Sequence, residues 1–296
     1  MQRVKTLVIA LTLALGTVGV GAHAAAPVAA AATAPTVQIQ QIRNATARIS
    51  YAGKTFLVDP FLAKKGTYPG FAGTFNSQLR NPMVELPMSA KDVMKGVDAV
   101  LVTHTHLDHW DGGAHQFIPK AIPLFVQHEA DATLVRGQGF TNVQILGENT
   151  VFEGVQLTKA GGQHGTDAMF ATKPLAEALG ESMGIVFRAP GAKTVYVVGD
   201  TVWRSEVDQT LEKFKPDVII LNAGDARMVG YTGSIIMGKD DVLHAYQAMP
   251  NATIIATHMD AINHMTLSRK ELKDHLKQHG VGNRVRVPAD GEMMAF

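Results

Sequence analysis

Apolar and polar positions along the 296-residue chain fall into distinct regimes. A basic start (Arg3, Lys5) leads into a near-continuous apolar stretch at 7–20, which stops before Ala22-His23-Ala24. That is the layout of a secretory signal with a small-x-small cleavage site. The stretch is shorter than the roughly 20 residues that a spanning helix needs, so a cleaved signal at 1–24 is expected and no stable membrane anchor. Residues 25–35, mostly Ala and Pro, read as a flexible leader. From 36 to 296 the pattern breaks into short runs, read as one domain. The runs at 37–42, 46–51 and 55–58 predict strands in hairpin-like order, the last closed by the turn signal Asp59-Pro60. Residues 60–88 are interrupted by Tyr68-Pro69-Gly70-Phe71, Pro82 and Pro87, too often for a regular element. Two readings are open for them: a surface loop packed by its own aromatics, or a lid over a site.

Further along, apolar runs at 99–102, 124–126, 143–146, 155–159, 184–188, 194–198, 218–221 and 253–256 predict strands. Helical patterns lie at 130–136, 205–214, 239–248 and 268–279. The last opens on Ser268 with Glu271 three residues later, a capping box, and stops at Gly280. Strands dominate first and helices later, which predicts layered sheets with helices outside.

Composition narrows the chemistry. Hydrophobic content of 46% with 28 glycines suits an ordinary globular core with many turns. Removing Arg3 and Lys5 with the signal leaves 25 of the 27 basic residues against 26 acidic ones. That near-neutral balance predicts a small-molecule substrate and no nucleic-acid partner. Cysteine is absent, which excludes a lipidated cysteine, a thiol nucleophile and thiolate metal ligands. Any metal site must use nitrogen and oxygen.

The strongest signal is Thr103-His104-Thr105-His106-Leu107-Asp108-His109, directly after the run Ala99-Val100-Leu101-Val102. Alternation along a strand points His104 and His106 the same way. The next turn can swing Asp108 and His109 toward a neighbouring position, so one segment offers two imidazoles to one ion and a carboxylate plus an imidazole to a second. Packing alone is a poor account of such a cluster. His164 lies in the glycine-rich turn Gly162-Gln163-His164-Gly165, Asp200 follows Val197-Val198-Gly199, and His258 follows Ile254-Ile255-Ala256-Thr257. Each alone reads as an ordinary turn or cap residue. Together they put five imidazoles and two carboxylates at strand termini, along one edge of a layered sheet.

On these residues the chain resembles the metallo-β-lactamase fold superfamily, over 37–296. It is most similar to the branch of predicted zinc-dependent hydrolases that includes ascorbate-6-phosphate lactonase and the N-acylphosphatidylethanolamine-cleaving phospholipase D. Asn222-Ala223-Gly224, the stretch from His258 to His264 and Pro288-Ala289-Asp290-Gly291-Glu292 resemble a bacterial and fungal subgroup. The resemblance implies an α/β, four-layer αββα sandwich with the site at the sheet edges. It implies a first metal held by His104, His106 and His164, a second by Asp108, His109 and His258, and Asp200 bridging them. Two Zn²⁺ ions suit this donor set, and Mn²⁺ or Fe²⁺ would be tolerated. Ions so placed would share a water, lower its pKa and present hydroxide to an electrophilic carbonyl or phosphorus. Asp108 could orient that water and carry a proton to the leaving group.

His264, six residues past His258, could contact substrate, cap local structure or replace His258 as a ligand. His115 is expected one turn into a helix, in a supporting or surface role, and His128, His244, His275 and His279 are read as solvated. Arg188, Arg204, Arg227 and Lys239 could each receive a substrate anion, with Arg227 nearest the expected edge; the alternative for it is a solvent-facing loop arginine. Trp110 and Trp203 could pack the site wall. The expectation is an exported, periplasmic or secreted dinuclear metallo-hydrolase acting on an ester or lactone, with a phosphodiester second. Its competitors are a mononuclear or di-iron redox enzyme on the same fold and a non-catalytic metal-containing ligand-binding protein.

Overall fold

Alternation of side chains along short strands builds the core. In β3 (Lys54–Val58), Phe56 and Val58 face one buried cluster while Leu57 faces another. The computed structural model describes residues 37–112 and 114–296, so the expected signal at 1–24 and leader at 25–35 lie outside the described residues. One sheet combines β1 (Val37–Arg43), β2 (Thr46–Tyr51), β3, β4 (Ala99–Leu101), β5 (Leu124–Val126), β6 (Val143–Ile145) and β14 (Met293–Ala295). Their order is β14-β1-β2-β3-β4-β5-β6. The second sheet holds β7 (Thr150–Phe152), β8 (Val155–Ala160), β9 (Gly184–Arg188), β10 (Val195–Val197), β11 (Val218–Asn222), β12 (Thr253–Thr257) and β13 (Val285–Arg286). It runs β13-β12-β11-β10-β9-β8-β7. Each sheet is antiparallel in one half and parallel in the other.

The inner faces meet in one cluster that joins Ile39, Ile49, Phe56 and Leu101 to Leu157, Phe187, Val197 and Ile220. On the outer face of the second sheet, Ile219, Leu221 and Ile254 pack against α6 (Ser205–Phe214), α7 (Lys239–Ala248) and α8 (Arg269–Gln278). On the outer face of the first, Leu57, Val100 and Leu124 pack against α1 (Ala90–Met94) and α3 (Glu129–Gly137). The result is the αββα sandwich. α8 opens as its sequence implies: Glu271 N donates to Ser268 Oγ at 3.2 Å, and Ser268 N to Glu271 Oε2 at 2.9 Å.

Several short elements lie outside the expected set: β7, β13, β14, α1, α4 (Asp167–Phe170) and α5 (Lys173–Leu179), whereas α2 (Ala114–Phe117) is the helix expected around His115. β7 joins β8 through Glu153-Gly154, both with positive φ (46° and 88°), the geometry of a tight two-residue hairpin. Residues 60–88 contain no regular strand or helix, yet they are fastened down. The fully buried Arg43 donates to the carbonyls of Phe61, Ala63 and Val84 at 2.6, 2.8 and 3.1 Å. Burial lowers its pKa to about 10, which leaves it charged at neutral pH. Among the described residues no helix is long and apolar enough to cross a membrane.

Candidate metal centre

Four strand ends converge on one edge. β4 delivers His104, His106, Asp108 and His109, and β8 leads through a glycine turn to His164. β10 leads to Asp200, and β12 ends at His258. Gly199 makes the Asp200 turn possible: its φ is +77°, and a Cβ there would lie 2.4 Å from the Met183 carbonyl oxygen. The His164 and Asp200 turns are tied together, because Gln163 N donates to Thr201 Oγ1 at 2.9 Å and Val202 N to Gln163 O at 3.1 Å. His258 has φ of 64°, a left-handed conformation that costs a non-glycine residue about 1–3 kcal/mol and is typical of functional sites. Its N–H donates at 3.1 Å to the carbonyl of Asn44, in the β1–β2 turn, which brings the two sheets' edges together.

All seven residues expected as ligands meet here. Ligand atoms of His104, His106 and His164 lie within 4.8 Å of one another, as do those of Asp108, His109 and His258, and those of His104, His109 and Asp200. His104 Nε2 is 3.0 Å from His106 Nδ1, and His109 Nε2 is 3.0 Å from His258 Nε2. Asp200 Oδ2 lies between the groups, 3.1 Å from His109 Nε2, 3.3 Å from His164 Nε2 and 3.5 Å from His258 Nε2. Asp108 Oδ2 is 3.4 Å from His258 Nε2.

The donor set fits divalent ions. It holds imidazoles and carboxylates with no thiolate, and three imidazoles are anchored through the nitrogen that faces away from the cluster. His109 Nδ1 donates to Asp59 Oδ2 at 2.8 Å. His106 Nε2 donates to the Ala178 carbonyl at 3.1 Å, near the end of α5. Thr103 Oγ1 accepts from His104 Nδ1 at 3.1 Å while donating to Asp59 Oδ2 at 2.7 Å. The carboxylates are held as well: Asn44 Nδ2 donates to Asp108 Oδ2 at 3.4 Å, and Asn222 Nδ2 to Asp200 Oδ1 at 2.7 Å. Asp59 and Asn44 escaped the sequence reading. Asp59 follows a strand as Asp200 does, and that shared placement is the signal that could have found it.

Electrostatics follow from burial and neighbours. Burial, with His109 and His106 beside it, pushes His104 well below the usual histidine range. Burial and His164 lower His106 to about 4. Neutral imidazole is the form with a lone pair to offer. His109 and His258 behave oppositely: burial disfavours their charge, but the facing carboxylates, Asp200 first, outweigh it and raise His258 to about 9. Burial would raise Asp108 and Asp200, yet His109 and His258 hold both well below the carboxylate range. A divalent ion competes with protons for those nitrogens.

Over the centre opens a cavity of about 240 Å³. Its walls are Phe71, Ala72 and Thr74 from the 60–88 loop, Ala178 and Leu179 from α5, and Met228 and Ile235; His264 faces it beside Asp108. His264 belongs to none of the ligand groups and meets the Phe71 ring edge-on at 5.2 Å. None of the four candidate cations lines the cavity. Arg227 pairs with Asp225 at 3.0 Å, Arg204 with Asp167 and Glu206, Arg188 lies over the Phe214 ring, and Lys239 lines a separate cleft. Trp110 packs beneath the site, in the helix layer of the first sheet, with its ring stacked on His115. Trp203 stacks on His244, away from the cavity lining. Of the histidines read as solvated, His244 and His279 are exposed, while His128 and His275 are partly covered. His128 caps α3, accepting from Asp131 N at 3.3 Å, and His275 is largely covered where α8 packs, its ring against His279.

Residues 54–259 match the family model of the beta-lactamase superfamily domain. The chain belongs to the beta-lactamase superfamily. Within this superfamily it is 46% identical over 260 residues to the UPF0173 protein YddR of Bacillus subtilis, covering 88% of this chain and 100% of that one. Among solved structures, a possible metal-dependent hydrolase from Veillonella parvula is 49% identical with a TM-score of 0.87, over 89% of this chain and 100% of its own. An isothiocyanate hydrolase from Delia radicum gut bacteria is 46% identical with a TM-score of 0.85, over 88% and 99%.

Proposed function

We propose that this chain adds water to a small, uncharged electrophile held over two divalent ions, with isothiocyanates as the first substrate class and esters or lactones as the second. The chain is a metal-dependent hydrolase of the metallo-β-lactamase fold. In this reading His104, His106 and His164 hold one ion, Asp108, His109 and His258 the other, and Asp200 stands between them. Zinc best suits such nitrogen and oxygen donors. Bound there, the ions supply Lewis acidity and an acidified water.

The chain's own groups do the rest. Asp108, fixed by Asn44, accepts a proton from the water and returns it to the departing atom. Burial lowers His264 to about 4, so it is a neutral imidazole able to donate an N–H to a substrate heteroatom. Phe71, Leu179, Met228 and Ile235 exclude bulk water from the reacting carbon. With an isothiocyanate, the oxygen of water bonds to the central carbon and both its hydrogens reach nitrogen. The C–N bond then breaks, giving an amine and carbonyl sulfide.

One observation carries this choice: the cavity over the ligand cluster has apolar walls and no lysine or arginine lining it. A phosphorylated lactone would find no lysine or arginine in these walls for a phosphate lying away from the ions, and a phosphodiester would have only the ions themselves to receive its anion. The 46% identity to an isothiocyanate hydrolase supports the same class. Export through a cleaved signal at 1–24, to the periplasm or beyond, belongs to the proposal and rests on the Arg3/Lys5 start and Ala22-His23-Ala24; the N-terminal sequence of the mature protein tests it.

The deciding experiment is a turnover panel on zinc-loaded protein, with His106→Ala as blank. It follows amine release from isothiocyanates alongside hydrolysis of neutral lactones, carboxylic esters and phosphodiesters. Amine release well above the blank is expected. Faster turnover of a phosphodiester than of every neutral substrate would overturn the reading.

A further inference from the structure

Asn263 lies between the strand end that delivers His258 and the cavity residue His264, and it is fully buried. Its side chain makes every hydrogen bond a carboxamide readily can, all to one segment of the 60–88 loop. Nδ2 donates to Thr74 Oγ1 at 2.9 Å and to the Phe75 carbonyl at 2.7 Å. Oδ1 accepts from Phe71 N at 3.0 Å and from Asn81 Nδ2 at 2.7 Å. Its backbone joins in, with Asn263 N donating to Asn81 Oδ1 at 2.9 Å and its carbonyl accepting from Asn76 Nδ2 at 3.2 Å. One residue thus takes the place of a strand partner for a stretch that has almost none of its own. The clamped stretch carries Phe71, Ala72 and Thr74, which form one wall of the cavity.

We propose that Asn263 is a positioning residue: its buried amide fixes the 71–81 segment so that Phe71 stands over the metal centre and limits the size of the substrate's organic group. Asn263 itself does not line the cavity, so it acts through Phe71. The segment keeps other ties when the amide is lost, including Val229 N to Gly73 O at 2.9 Å and Phe75 N to Arg227 O at 3.2 Å. Loss of Asn263 should therefore loosen the wall without releasing it.

The size limit rests on the proposed substrate class, while the clamp does not, and the two are tested apart. The first readout is amide hydrogen exchange, by mass spectrometry, in zinc-loaded wild type and Asn263→Ala. Residues 71–81 should exchange about tenfold faster or more in the variant, since a buried amide's bonds are lost, with α6 and the zinc content unchanged. Equal exchange in 71–81 would overturn the clamp, whatever the substrate. The second readout is kcat/KM for benzyl against methyl isothiocyanate, or for a bulky and a small ester should esters prove to be the substrate. Phe71→Ala should shift that ratio toward the bulky partner. Asn263→Ala should shift it the same way, and the double variant should add little, as expected of two residues on one path. An unchanged ratio in Asn263→Ala, or fully additive shifts, would overturn the role in size selection. Should Asn263→Ala fold poorly, Asn81→Ala cuts the clamp from the loop side and is read by the same two measurements.

Discussion

The floor and the wall of the cavity are built in opposite ways. On the floor, charged and polar groups stand at strand ends, and most are held from behind by a hydrogen-bonding partner such as Asp59, Asn44 or Asn222. In the wall, Phe71, Leu179, Met228 and Ile235 are apolar and sit on loops or a seven-residue helix, fixed by packing and by the Asn263 amide. Strand ends cannot shift without unravelling a sheet, so the floor keeps a fixed geometry. Loops can be reshaped at little cost to the core, so under the proposed function substrate choice falls to the wall. Changes in the floor should therefore move metal and rate together, and changes in the wall should move substrate preference alone.

The harshest break is His106→Ala. It removes a donor from the His104/His106/His164 group, and the variant should lose bound metal and fall to background hydrolysis. Metal analysis with the turnover assay checks it; near-normal activity would take His106 out of the ligand set. Asp59→Asn is subtler and tests the support under the floor. Asp59 accepts from His109 Nδ1, from Thr103 Oγ1 and, at 2.7 Å, from Thr103 N, and an amide can satisfy only part of that load. Zinc affinity should drop about 10- to 100-fold, read by competition with a chelating dye, with full activity returning at high zinc.

The same contrast explains what the sequence alone could reveal. His104, His106, Asp108 and His109 were legible because four candidate ligands crowd six positions after a clear apolar run, and α6 was legible because Val207, Thr210 and Leu211 mark one buried face. Asp59 was read as a turn residue, since an Asp-Pro step signals a turn equally well without a histidine opposite it. Asn44 lies in the two-residue β1–β2 turn, where Asn needs no further reason. The α5 helix was missed because Leu175 and Leu179 are its only buried positions, a single i, i+4 pair. The role of 60–88 stayed open because Asn263, its partner, is almost 200 residues distant in sequence; that contact exists only in three dimensions.

His264 stands where floor meets wall. It faces the cavity but lies outside the ligand groups, so His264→Ala should keep the wild-type metal content while kcat falls about 100-fold, the scale of a lost proton donor. Loss of a metal equivalent would instead move His264 into the floor as a ligand.

The gentlest test is Thr74→Val, which changes one wall contact and almost no shape. Thr74 Oγ1 accepts from Asn263 Nδ2 and donates to the Phe71 carbonyl at 2.7 Å, so the hydroxyl links the clamp to the residue that forms the wall. Valine keeps the branched outline but leaves an Asn263 N–H without its acceptor in a site that is 0% exposed, a change worth about 1–3 kcal/mol of stability. Zinc content should stay at wild-type level, because no floor residue loses a partner. KM should rise a few-fold and kcat change less, since Phe71 would be less well held over the substrate while the reacting groups stay in place. Urea unfolding, metal analysis and a KM-against-kcat comparison separate these effects. A fall in kcat with KM unchanged would mean that the wall reaches into the chemistry and that floor and wall are not independent parts.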